Sequence, residues 1–205
     1  DRSATVPAAD LALLTDGSAS AQASVSNING NSASAVHNYS VDSSAPTIII
    51  NTVASDNIVN ASEADAGVTV SGSTTAEAGQ IVTVTLNSPT VQTYQATVQA
   101  DGSWSINIPA ADLEALTDGS HTLTAMVNDK AGNPASTTHN LAVDLTVPVL
   151  TINTIAGDDI INAAEHGQAL VISGSSTGGE AGDVVTVTLN SKTYTTTLDA
   201  SGNWS

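Results

Sequence analysis

The chain of 205 residues has no cysteine, no phenylalanine and only three basic residues against twenty acidic ones. Without cysteine, neither a disulfide framework nor a thiolate metal site can form. With no Phe, two Trp and three Tyr, a core must be built from Val, Ile, Leu and Ala, small and often β-branched side chains that suit strands packed face to face. A formal net charge of −17 repels polyanions, which argues against nucleic acid as a partner. The same charge opposes a compact state unless cations offset it, and calcium is the natural cation for oxygen ligands. The plainer reading of the acid is solubility. No run of 18 apolar residues and no charged-then-apolar leader occurs, so neither a membrane insertion nor a signal peptide is expected within this stretch. Small cores without disulfides need other support, and bound metal or contact between modules is what remains.

What the sequence does contain is a repeat, the most informative feature because a fixed period sets the architecture before any propensity argument. IPAADLEALTDGS at Ile108 to Ser120 repeats VPAADLALLTDGS at Val6 to Ser18, a shift of 102 that also carries Asn31, His37, Asn38, Asp42 and Pro46 onto Asn133, His139, Asn140, Asp144 and Pro148. INTVASDNIVNASEA from Ile50 recurs as INTIAGDDIINAAEH from Ile152, and EAGQIVTVTLNS from Glu77 as EAGDVVTVTLNS from Glu180. Taking the junctions SSAPT and LTVPV as boundaries, residues 46–147 form one complete module. Residues 1–45 match the C-terminal half of a module and residues 148–205 the N-terminal half.

Alternation bounded by turn residues reads as seven strands in the complete module. They are Thr47 to Val53, Gly67 to Ser71, Ile81 to Asn87, Thr93 to Gln99, Trp104 to Ile108, His121 to Asn128 and Ser136 to Asp144. Val82, Val84 and Leu86 share one face, as do Tyr94, Ala96 and Val98, so one face of each strand is buried and the other wet. ADGSW and DKAGN supply hairpin turns, and PAADLEALTDGS a short helical turn. The expected fold is all-β: tandem immunoglobulin-like, seven-stranded β-sandwiches arranged as an elongated rod, without the disulfide.

The strings INTIAGDDIINAAE, SGSTTAEAGQIVTVTLN, ADGSWSINIPAADLEALTDGSHTLTA and DKAGNPAS, closing in AVD before a proline, resemble the bacterial Ig-like repeats of giant biofilm-associated adhesins exported by type 1 secretion. The resemblance covers essentially the whole chain. It implies an elongated extracellular stalk on the bacterial cell surface, built of many modules, often stiffened by calcium near the junctions, and serving cell adhesion and biofilm formation. In that family the secretion and anchoring signals lie at the chain ends, outside this stretch.

The richest cluster of oxygen ligands is SDNIVNASEAD, with Asp56, Asn57, Asn60 and Glu63, recurring with Asp158, Asp159, Asn162 and Glu165. Calcium takes six to eight oxygens, so one short loop needs help from a neighbour or from water. Asp42 and Asp144 end the last strand of a module close to the junction, and Asp129 in DKAGN can reach the same end, although Asn27 takes its place in the first copy. The spacing is not that of an EF-hand, and the competing reading is that these residues cap turns by bonding their own backbone. His37 and His139 recur in the last strand, where packing or hydrogen bonding outweighs catalysis. His121 and His166 have no counterparts and read as solvent-exposed. Trp104 and Trp204 recur as core anchors, more simply than as a carbohydrate platform. The Asn-X-Ser patterns at Asn38, Asn60 and Asn203 carry little weight in a bacterial chain rich in Asn and Ser. No phosphate loop or nucleophile elbow appears, so no enzyme is expected.

Two functions are compatible with these features. The first is a mechanical spacer whose partners are neighbouring Ig-like modules of the same chain. The second is a ligand-binding module that recognises a glycan or protein receptor, with the insertion around Pro89, Thr90, Val91 and Gln92 as its one candidate loop. The incomplete modules raise a further possibility, head-to-tail self-assembly in which one half-module completes the other between molecules.

Overall fold

A computed structural model of the chain describes residues 3–87 and 91–205. Of the insertion singled out above, Pro89 and Thr90 lie outside the described residues. The chain divides into two compact units, Asp1–Val59 with Glu63–Val143, and Asn60–Ser62 with Asp144–Ser205.

In the first unit, helix α1 (Ala8–Leu11) begins directly after Pro7 and leads to a hairpin of β1 (Gly17–Ser26) and β2 (Ser32–Val41). Proline fits there because its fixed φ is preorganised for a helix start. The two strands pair antiparallel, with Ser26 opposite Ser32 at the turn, and almost every residue in them is exposed.

A sandwich follows. One sheet has the order β3-β5-β8, from β3 (Ile48–Ile50), β5 (Val68–Thr74) and β8 (Ser103–Ile108). The other has the order β4-β10-β9-β6-β7, from β4 (Ile58–Asn60), β6 (Ile81–Asn87), β7 (Gln92–Thr97), β9 (Gly119–Asn128) and β10 (Pro134–Asp144). Between β8 and β9 lies the short helix α3 (Ala110–Leu113), again after a proline, Pro109, as the sequence led one to expect.

The predicted alternation is present. Val68 and Val70 in β5, Val82, Val84 and Leu86 in β6, and Leu123, Ala125 and Val127 in β9 are all buried, and the residues between them are exposed or half-buried. Trp104 is 2% exposed and lies against Gly72, where a methyl group would meet its ring at 2.5 Å. All seven expected segments carry strands. The first is shorter than expected, because the chain leaves one sheet after Ile50 and joins the other as β4, an eighth strand that the sequence reading missed. Helix α2 (Ala61–Ala66) comes next, where only a loop was expected, and it stops at Gly67, whose φ of 76° suits the left-handed position past a helix end.

The second unit repeats the opening of the sandwich. β11 (Val149–Ile152), β12 (Gly174–Thr177) and β15 (Asn203–Trp204) form one sheet, and β13 (Val184–Leu189) and β14 (Lys192–Thr197) pair in another. Trp204 is 3% exposed and lies on Gly174 as Trp104 does on Gly72.

Candidate metal centre

The crossing from β3 to β4 is made by residues 51–57, and three of them, Ala54, Ser55 and Asn57, have positive φ. Asn tolerates that region because its side chain can bond locally. Asn57 Oδ1 accepts the backbone N–H of Val53 at 2.9 Å and Nε2–H of His139 at 2.7 Å. Its main chain donates to Val53 O at 2.7 Å and accepts from Ala142 N at 2.9 Å. Asn57 therefore ties the sheet-switching loop to β10. The hydrogen-bonding role expected of His139 is this contact.

The second copy builds the same loop. Asp159, with φ 63°, takes the place of Asn57, accepting Ile155 N at 2.8 Å and donating to Ile155 O at 2.7 Å. Asp56 and Asp158 accept the N–H two residues on, from Ile58 at 2.9 Å and Ile160 at 3.1 Å. Asn162 and Glu165 form a reciprocal capping box. Asn162 Oδ1 accepts Glu165 N at 3.2 Å and Glu165 Oε2 accepts Asn162 N at 3.0 Å. Asn60 and Glu63 hold the same spacing at the start of α2.

At the β9–β10 turn, Asp129 is 9% exposed, and its Oδ1 accepts the N–H groups of Gly132 and Asn133, each at 2.8 Å. Its Oδ2 accepts Asn133 Nδ2 at 2.8 Å. Hydrogen bonds from Asn133, outweighing desolvation, hold this carboxyl below the usual range. Asn133 Nδ2 also approaches Asp42, at 3.3 Å from its carbonyl oxygen and 3.5 Å from Oδ1. One amide thus brings Asp42 and Asp129 together. Asp42 and Asp144 each also accept a backbone N–H two residues on, from Ser44 at 3.3 Å and Thr146 at 3.1 Å.

As placed, these oxygens serve the backbone, and among the described residues no group of three or more His, Cys, Asp or Glu side chains is positioned to hold a metal ion. Asn133 Nδ2 lies between the side-chain oxygens of Asp42 and Asp129. Two carboxylates thus face one amide nitrogen.

Asn133 was missed by sequence reasoning, although its recurrence at Asn31 was visible. Asp16 was missed too. It accepts Ser43 N at 2.8 Å and Ser43 Oγ at 2.7 Å, as well as Ser44 Oγ, which pins the start of β1 to the segment after β2. Those bonds, Ser44 first and then Ser43, hold its carboxyl low. The expectation for His121 needs correction: it is 9% exposed, not solvent-exposed, and its Nε2–H donates to Thr117 O at 2.8 Å. Its place in β9 puts it on the inward face with Leu123, Ala125 and Val127. His166 is exposed, as expected. Tyr94 Oη donates to Asp112 at 2.6 Å, and burial, reinforced by that carboxylate, pushes the phenol above its ordinary range.

Residues 51–145 match the family model described as bacterial Ig-like domain. A bacterial immunoglobulin-like domain from the M. primoryensis ice-binding adhesin is 37% identical, and the match covers 48% of this chain and 96% of that one (TM-score 0.37). The chain belongs to the bacterial Ig-like domain family. Two longer structures are also similar to these Ig-like repeats. One is the Ca2+-stabilized adhesin that helps an Antarctic bacterium reach out and bind ice, 37% identical over 91% of this chain and 47% of that one (TM-score 0.46). The other is a tetra-tandem repeat in the extending region of a large adhesion protein, 30% identical over 93% of this chain and 47% of that one (TM-score 0.44). The chain spans about half the length of each of these two structures. No curated protein matches it. The Ig-like repeats of such adhesins are structural domains and not enzymes.

Proposed function

We propose that the chain is a stretch of the stalk of a large bacterial surface adhesin, lying outside the cell and setting the distance between the cell and an adhesive tip. The observation that carries this reading is the in-phase repeat, in which turns, caps and buried Trp recur while solvent-facing residues differ, combined with 37% identity to an adhesin of that kind. In this reading the modules are residues 46–147, flanked by parts of others at 1–45 and 148–205. The partners of each module are its neighbours in the same chain.

Calcium at the junctions stiffens the stalk. Asp42 and Asp129 supply carboxylates, while the acidic loop residues Asp56, Asn57, Asn60 and Glu63, with Asp144, Asp158, Asp159, Asn162 and Glu165, are the further candidates. The support is the convergence of Asp42 and Asp129 on Asn133, the surplus of seventeen negative charges, and the calcium stabilisation of a relative. Bound calcium would supply charge neutralisation and a fixed angle between modules. Small-angle scattering in calcium and in chelator tests this. A longer, better-defined maximum dimension with calcium is expected, and identical curves would refute the stiffening.

A further inference from the structure

Residues 42–47 run from the end of β2 to the start of β3 and link the hairpin to the sandwich. All but Pro46 are exposed, yet the link is held from both sides. From the hairpin side comes Asp16, just ahead of β1 in the repeated TDGS string. Its Oδ1 accepts Ser43 N at 2.8 Å and Ser43 Oγ at 2.7 Å, and its Oδ2 accepts Ser44 Oγ. From the sandwich side come the β9–β10 turn and the end of β5. Asn133 Nδ2 donates to Asp42 O at 3.3 Å. Thr74 Oγ1 donates to Thr47 O at 2.6 Å, and Thr75 Oγ1 accepts Thr47 N at 2.8 Å. Pro46 has a fixed φ and no N–H to satisfy.

The order of these grips along the chain decides what the link can do. If each side held only its own end, the residues between would be a hinge. Here the grips interleave. The sandwich, through Asn133, holds Asp42, which precedes Ser43 and Ser44, the residues that Asp16 holds from the hairpin. A bend at the link must therefore break either the Asn133 bond or the Asp16 bonds. The latter end on a carboxylate, which makes them charge-assisted and stronger than bonds to a neutral acceptor.

We propose that Asp16 is a positioning residue for this joint, fixing Ser43 and Ser44 so that residues 42–47 keep one path with no cation bound. The proposal rests on the stalk reading for its use, because a rigid joint matters where modules stand in tandem. It goes beyond calcium stiffening, since the Asp16 bonds need no metal and Asp16 is not among the candidate calcium ligands. Calcium at Asp42 and Asp129 adds to a joint already set.

The test uses the full chain in chelator. The chain has no cysteine, so spin labels are placed on introduced ones. Ser20→Cys in β1 with Asn140→Cys in β10 reads across the link, and Ser20→Cys with Ser34→Cys reads the hairpin alone. Without further substitution, the pair across the link is expected to give one narrow distance distribution. Asp16→Ala broadens it, and exchange of the Ser43 N–H speeds up by about tenfold or more on losing one charge-assisted bond, while Thr47 N–H exchange is unchanged. Ser43→Ala with Ser44→Ala keeps the backbone bond to Asp16 and broadens the distribution less. Should Asp16→Ala also broaden the hairpin pair, that double variant, which leaves β1 untouched, decides. Asp42→Asn with Asp129→Asn removes the calcium carboxylates and leaves the distribution in chelator narrow, so a failed calcium site and a failed Asp16 joint give different patterns. A broad distribution across the link before Asp16 is changed, or one that stays narrow in both Asp16→Ala and the Ser43→Ala, Ser44→Ala chain, would overturn the proposal.

Discussion

A methyl group at Gly72 would stand 2.0 Å from the carbonyl oxygen of Ile49 and 2.5 Å from the Trp104 ring. The first contact is with backbone of the paired strand and the second with a fully packed indole, so neither can give way cheaply. Gly72→Ala is expected to cost about 3 kcal/mol or more, read as a lowered urea midpoint. Unchanged stability would mean that the Trp–Gly contact is not a packing constraint. Asn57 is a second test. Asn57→Ala removes an acceptor shared by Val53 and His139 and places a Cβ-bearing residue with no local bonding at positive φ. A loss of about 2 kcal/mol follows. Asn57→Gly relieves the backbone alone, so it should recover only part of that loss. Gly72 itself was not legible as a packing site, although the recurring Trp was, because a strand glycine reveals its purpose only when the neighbouring sheet is in place. His121 misled for a similar reason. Its type suggested water, and only its phase with Leu123 and Ala125 in β9 puts it inside.

Among the elements, strands and turns were legible and the sheet switch was not. β6 and β9 announce themselves by clean alternation. β4 has three residues and a single buried side chain, Val59, and it exists because β10 offers an edge. The matching residues 160–162 are not in a strand. The same ambiguity covers the acidic loops, since Asp and Asn oxygens that cap turns have the composition of a calcium loop, and only geometry separates the two. The turns make a prediction of their own. Asp101, held low by Ser103, and Asp199, held low by the backbone N–H groups of Asn203 and Ser201, cap equivalent turns, and Asp129 caps the β9–β10 turn. A carboxyl whose pKa is lower folded than unfolded stabilises the fold above its unfolded pKa, near 3.9. That contribution is lost as pH falls through the folded value. Denaturant midpoints are therefore expected to be flat from neutral pH down to about 5 and to fall below about 4. Asp129→Asn should flatten part of the acid limb at a small cost at neutral pH, because Asn27 Oδ1 already accepts Asn29 N and Asn31 N, each at 3.0 Å, in the matching turn. An acid limb unchanged in Asp129→Asn would remove that turn from the account.

For the whole molecule, the decisive quantity is the net charge of −17 on 205 residues, with two carboxylates drawn to one amide at Asn133. Self-repulsion on this scale weakens the folded state, and any counter-ion relieves it to some extent by screening. Specific binding must therefore be separated from screening. If a junction site has the sub-millimolar to millimolar affinity of extracellular calcium modules, a tenfold excess of calcium over Kd adds about 1.4 kcal/mol per site. That should raise the melting temperature by a few degrees. Sodium chloride at equal ionic strength should reproduce only the screening part, and magnesium should fall short of calcium because it demands tighter octahedral geometry and holds its water. Asp42→Asn with Asp129→Asn should abolish the calcium increment and leave the salt response in place. Should sodium, magnesium and calcium at matched ionic strength raise the melting temperature equally, the acidic residues act as a diffuse charge and their oxygens serve as turn caps alone.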